Sequence, residues 1–230
     1  MKEDEPCISG GFVLFFRRVY EKKQKDMKKT LILGASGTLG KALVGKLRCS
    51  GERALTLASR RAKEHFSECE KCRVMDCDAT KADSLLAAME DCDTVFCAVS
   101  GEELPIVAKN IVAAMNAKSI TRLVFMGAVG IYNEIPVNLD DEDNVRNNSD
   151  QIPNRDAVTI VEESDLNYTV IRPGYLKEEG DADDFVLTFK GEQAKGYEST
   201  LSSVVDLIVE LIDDSSLYSR QSVCITKNMT

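Results

Sequence analysis

Thr30-Leu-Ile-Leu-Gly34-Ala-Ser-Gly37-Thr-Leu-Gly40 runs a short apolar, β-favouring stretch straight into a glycine-rich turn. Leu39, Leu43 and Leu47 then recur at helical spacing with Ala42 beside them, so the turn joins a buried strand to an amphipathic helix. Glycine lets the backbone turn tightly and approach a diphosphate, and first-turn helix N–H groups have no internal partners and favour an anion. A further glycine lets helix and strand pack closely. The expected dinucleotide contacts here are Gly34, Ser36, Gly37, Thr38 and Leu39.

Gly34, Gly37 and Gly40 are spaced G-x-x-G-x-x-G rather than G-x-G-x-x-G. On this spacing the chain resembles the extended and atypical short-chain dehydrogenase/reductases. A second signature lies far downstream, in Leu166-Asn-Tyr168-Thr-Val-Ile171-Arg-Pro173-Gly174-Tyr175. It is similar to the strand and Arg-Pro-Gly turn of the NmrA-like and biliverdin/flavin reductase-like proteins. That resemblance implies that Pro173 and Gly174 border the nicotinamide.

The chain has 230 residues, enough for one domain with a sizeable core. With 43% hydrophobic and 29% charged residues it reads as globular, and a formal charge of -9 argues against nucleic-acid binding. Residues 1–27 read as an extension outside the fold, with Met27-Lys-Lys-Thr as a natural start and residues 28–230 as the domain. The alternative is an amphipathic segment docking on the domain or a partner. Phe12–Phe16 is far shorter than the roughly 20 apolar residues of a membrane span, and the acidic opening is unlike a signal peptide. A cytoplasmic protein without membrane contact, monomeric or homodimeric, is expected.

Ala54–Ser59 reads as the second strand. Its end is Ser59-Arg60-Arg61, without the carboxylate that holds the ribose hydroxyls of NAD. A guanidinium matches phosphate geometry, so NADP(H) is expected over NAD(H), with Arg60 nearest the strand end. After Arg73-Val-Met-Asp76-Cys, Asp78 and Ala79 fit the turn that lies against adenine in similar reductases. Asp76 is the alternative, and a helix N-cap is the competing role. The eight cysteines read as reduced thiols. Cys69-Glu-Lys-Cys72 with Cys77 lacks the four ligands of a structural zinc site, a redox pair being the other alternative, and no metal is expected. His65, the one histidine, reads as a solvated residue in a polar loop outside the cleft.

Thr94-Val-Phe-Cys-Ala-Val-Ser-Gly101 has the unbroken apolar character of a covered parallel strand. Ala98, Val99, Ser100 and Gly101 would form a narrow ledge at its carboxyl end, with a helix over about 103–118 behind it. The fifth strand, Arg122–Met126, leads to Gly127-Ala-Val-Gly130-Ile-Tyr132. Short-chain reductases place a catalytic serine here and a Tyr-x-x-x-Lys pair on the next helix. This chain has Gly127-Ala128 instead, and the helix opening near Asn154 carries neither partner in register. Tyr132 remains as a candidate proton donor, or as a ring packed under a loop. Residues 133–153 are acidic and patternless, a lid or a disordered connection. Phe185–Phe189 reads as a short strand or hairpin, Leu201–Ile212 as the last helix, and Ser222–Thr226 as an edge strand.

Strands alternating with helices imply an α/β, doubly wound parallel sheet of Rossmann type: a single domain with a small C-terminal substrate lobe. The expected activity is NADP(H)-dependent oxidoreduction of a small neutral molecule without the serine–tyrosine–lysine relay. The competing functions are an NADP(H)-sensing module that regulates a partner protein, or a lyase or isomerase that retains its nicotinamide.

Overall fold

The computed structural model describes residues 28–50, 53–67, 69, 72–139, 141–180 and 185–228. The expected extension, residues 1–27, residue 140 of the acidic 133–153 connection, and residues 181–184 lie outside the described residues.

The chain alternates strand and helix as β1 (Lys28–Leu33), α1 (Thr38–Ser50), β2 (Arg53–Ser59), α2 (Ala62–His65), β3 (Cys72–Asp76), α3 (Ala82–Ala88), β4 (Thr94–Cys97), α4 (Leu104–Lys118), β5 (Arg122–Met126), α5 (Ile152–Glu162) and β6 (Asn167–Pro173). The remainder is β7 (Tyr175–Lys177), β8 (Phe185–Phe189), β9 (Glu198–Thr200), α6 (Leu201–Asp213) and β10 (Gln221–Lys227). Eight strands form one sheet in the order β3-β2-β1-β4-β5-β6-β10-β8. All its neighbours are parallel except β8, which runs against β10.

Side-chain alternation sorts the core into two layers, because successive residues of a strand face opposite sides. Leu31, Leu33, Val95, Cys97, Leu123 and Phe125 face α3, α4 and α5. Their neighbours Ile32, Phe96 and Val124 face α1 and α6, with Ile171 and Ile225. Both faces are covered, which is why these strands are continuous apolar runs. Each fully buried Leu, Ile or Phe contributes about 1.5–3 kcal/mol relative to exposure, so the sheet is a rigid platform.

Two expectations are corrected and one is completed at the far side of the sheet. Ser222–Thr226 is not an edge: β10 lies between β6 and β8, pairing Val223 with Ile171 on one side and Phe189 on the other. Phe185–Phe189 is the short strand expected, and it forms the antiparallel margin of the main sheet. The 133–153 connection is neither disordered nor a loose lid where described. Asn144 is fully buried; its Nδ2 donates to the Ile135 carbonyl (2.8 Å) and its Oδ1 accepts from the Ile135 amide (3.1 Å). Gly130, at φ +93°, lets the Asp143 carbonyl come so close that a Cβ would overlap it.

The small lobe is a two-stranded parallel sheet, β7 with β9, and Thr200 at the end of β9 caps α6 by accepting from the Ser203 amide (3.2 Å). Among the described residues no helix is long and apolar enough to cross a membrane.

Candidate functional site

The carboxyl ends of β1 to β4 open into a cleft of about 670 Å³, within the range of small-molecule sites. Its floor is the glycine turn. The Gly34 and Ala35 amides both donate to the Ala58 carbonyl (2.9 and 3.2 Å), tying the turn to β2. Gly34 has φ +82°, and a Cβ there would lie 2.8 Å from the Ala98 carbonyl oxygen. Only glycine combines that backbone with that approach. A Cβ on Gly40 would overlap the Gly34 carbonyl, so α1 can leave the turn at this angle only because Gly40 is bare. Gly34, Ser36 and Gly37 line the cleft with Leu33; Thr38 and Leu39 head α1 one step behind the lining.

One wall belongs to β2 and β3. Ala58, Ser59, Arg60 and Arg61 line it, and the buried Ser59 hydroxyl has no hydrogen-bond partner in the structure. Across from them stand Cys77, Asp78, Ala79 and Thr80. Asp78 is not the N-cap of α3, which is Lys81. Its Oδ1 accepts from the Thr80 hydroxyl (2.7 Å) and amide (3.0 Å), a local turn that holds its carboxyl below the usual carboxylate range, with Lys81 and Arg60 adding to the effect. Burial pushes the Cys77 thiol up. Asn110 of α4 donates to the Ala79 carbonyl (3.3 Å), fixing this turn against the opposite layer.

The third side is the β4–α4 connection. Ala98, Val99 and Ser100 line the cleft; Gly101, at φ +114°, does not, and turns the chain into α4. The first turn of α4 adds Glu103, Leu104 and Val107. These were legible as positions i, i+1 and i+4 of an expected helix, but only the small residues before it were singled out. Leu33 and Ala58 follow from the parallel-sheet rule that ligands bind at strand carboxyl ends. His65 is a correction: it ends α2 and lines the cleft instead of lying in a loop outside it. The thiol expectation is corrected in part, because Cys69 and Cys72 are joined as a disulfide while Cys49, Cys77, Cys92, Cys97 and Cys224 are free.

Besides Thr38, Leu39 and Gly101, three more expected site residues, Tyr132, Pro173 and Gly174, do not line the cleft. Tyr132 donates from its hydroxyl to Glu162 Oε1 (2.6 Å), 3.2 Å from Ser222 Oγ. Its ring lies between the Arg172 guanidinium (4.8 Å) and the Lys190 ammonium (4.7 Å). Burial first, and then the Glu162 carboxylate, raise this phenol above its ordinary range. Arg172 in turn is fully buried and paired with Glu134. The Tyr132 side chain is thus packed among Glu162, Arg172, Lys190 and Ser222. Pro173 is paired with Ile225 in the sheet. Gly174 is bare because the Tyr197 carbonyl occupies the space of its Cβ; its amide donates to Ser199 Oγ (2.9 Å).

A doubly wound parallel sheet with a glycine turn and a polar cleft over β1–β4 defines a Rossmann-type dinucleotide-binding protein. Residues 34–215 match the family model described as NAD(P)H-binding, and the chain belongs to that family. Among solved structures it is similar to a Rossmann-fold NAD(P)-binding family protein from Shigella flexneri, with 29% identity over 89% of this chain and 95% of that one and a TM-score of 0.76. It is also similar to a short-chain dehydrogenase/reductase from Veillonella parvula in complex with NADP, with 25% identity over 88% and 96% and a TM-score of 0.79. ChuY, an anaerobillin reductase from Escherichia coli, shares the fold at 17% identity over 88% and 98%, with a TM-score of 0.74. No curated protein is detectably similar in sequence.

Proposed function

We propose that the protein is an NADP(H)-dependent oxidoreductase of the atypical short-chain class that acts on a small neutral acceptor. The observation that carries the choice of cofactor is the end of β2. Ser59, Arg60 and Arg61 line the cleft there, the Ser59 hydroxyl is unpartnered, and no carboxylate stands beside them on that strand. A 2′-phosphate supplies charged acceptors that match a guanidinium fork, whereas a bare ribose offers only neutral hydroxyls. The glycine turn fits the diphosphate: Gly34, Ser36 and Gly37 line the cleft immediately ahead of the first turn of α1. The bound cofactor supplies the hydride. The chain's residues hold and orient it: Asp78 and Ala79 at the adenine, Ala98, Val99 and Ser100 along the diphosphate and ribose.

None of the described residues lining the cleft is a tyrosine or lysine. An acceptor that takes its proton from solvent, such as a quinone or flavin-like ring, suits that lining. The same observation favours a second reading, in which cofactor occupancy alters a partner-binding surface without turnover.

Calorimetric titration with NADPH and NADH, beside NADPH oxidation with quinones, flavins and small carbonyls, tests both. Arg60→Ala should weaken NADPH by about 10- to 100-fold, the worth of one charge-assisted hydrogen bond of about 1.5–3 kcal/mol, and leave NADH unchanged. An unaltered NADPH/NADH ratio refutes the cofactor assignment. Tight binding without turnover on any acceptor selects the sensor.

A further inference from the structure

We propose that His65 is a specificity-determining contact for the 2′-phosphate of NADP(H), acting beside Arg60 and Arg61; this rests on the cofactor reading above. The three are the only basic side chains among the described residues that line the cleft. They come from one short segment. Arg60 and Arg61 follow β2, Arg61 is the residue before α2, and His65 lies four positions on, one helical turn, so the two share a side.

The platform under His65 is fixed. The Lys63 amide donates to Asp76 Oδ1 (3.0 Å), the Phe66 amide donates to the Ala62 carbonyl (3.0 Å), and Phe66 packs into the α1–α6 core layer. The charged groups around the imidazole are Arg60 and Arg61 from the turn, Lys63 and Glu64 on α2, Asp76 and Asp78 at the end of β3, and Glu103 from the start of α4. The nearer acids have partners of their own: Glu64 faces Arg61 (3.7 Å), Asp76 faces Lys63 (3.9 Å) and Asp78 is held by Thr80. With His65 protonated the four basic and four acidic groups balance, so a phosphate is drawn by direct contact with the three basic side chains that line the cleft and not by net charge.

An imidazole N–H donates to a phosphate oxygen that the unphosphorylated cofactor lacks, so the contact bears on NADP(H) and not on NAD(H).

The test is calorimetry on the full chain with NADPH and NADH, repeated for His65→Gln and Arg60→Ala. His65→Gln should bind NADPH about two- to fivefold more weakly and keep its NADH affinity, with Arg60→Ala showing a larger loss of the same kind. If His65→Gln leaves NADPH affinity unchanged, or weakens NADPH and NADH alike, the role given to His65 is wrong while the cofactor assignment stands. If the wild type binds NADPH no better than NADH, the assignment itself fails and this inference with it.

Discussion

Replacing Tyr132 with phenylalanine separates a structural ring from a proton donor. The substitution keeps the ring between Arg172 and Lys190 and removes only the hydroxyl, which donates to Glu162 at 2.6 Å. A hydrogen bond to a charged group is worth about 1.5–3 kcal/mol. Glu162 keeps the Lys190 ammonium at 2.7 Å, so the lower end applies, about 1.5 kcal/mol. For a domain of this size each kcal/mol moves the melting temperature by about 2–4 °C, giving a fall of about 3–6 °C. A phenol held above its ordinary range is also poorly matched to proton transfer near neutral pH. Scanning calorimetry and steady-state NADPH oxidation on the same preparation read both effects, and kcat should stay within about twofold. An unchanged melting temperature with kcat down tenfold or more would mean that the hydroxyl takes part in the chemistry and that its bond to Glu162 is incidental.

Gly40→Ala places a methyl into the Gly34 carbonyl and 2.8 Å from Ala35 Cα, backbone atoms with no flexible end to yield. We expect a loss of about 2–3 kcal/mol in urea unfolding and no measurable NADPH binding, and a variant that binds normally would contradict the described turn. Glu134→Gln leaves the fully buried Arg172 without its counter-charge, which should cost about 3–5 kcal/mol; a loss under about 1 kcal/mol by the same measurement would count against the pair. Burial pushes Cys97 up to about 12 and Cys224 up to about 11. Both should stay unlabelled by a thiol reagent at pH 8 until denaturant is added, as read by mass spectrometry. The folded state keeps these protons where unfolded thiols, ordinarily near about 8.5, lose theirs, so stability should fall as pH rises above that value.

The dinucleotide half of the molecule was legible because its sequence signals are local. Strand β5 falls at Arg122–Met126 as expected, and the glycine turn, the Ser59–Arg61 corner and the Asp78–Ala79 turn all reach one cleft. Each is fixed by a few contiguous residues at the end of a covered strand. The other half depended on contacts between distant segments. Gly174 looks like a cofactor-facing glycine, but its bareness answers to the Tyr197 carbonyl, 23 positions on. Tyr132 is satisfied by Glu162 and Ser222, from an intervening helix and from the last strand, a pairing that no periodicity announces. The acidic crossing read as unstructured because its anchor is one asparagine, Asn144, amid polar residues with no repeating pattern. His65 was misplaced because the four-residue helix that carries it is too short to show a period.

The placement of β10 has a consequence for how the chain is made. The strand that fills the gap between β6 and β8 follows both of them in the chain. Until it arrives, the nascent polypeptide presents an open ladder of peptide groups along β6, and the segment that becomes β8 has nothing to dock against. A chain cut short just before Gln221 would therefore have the cofactor-side architecture already in place and a sticky flank, a substrate for chaperones and proteases rather than a shorter working protein.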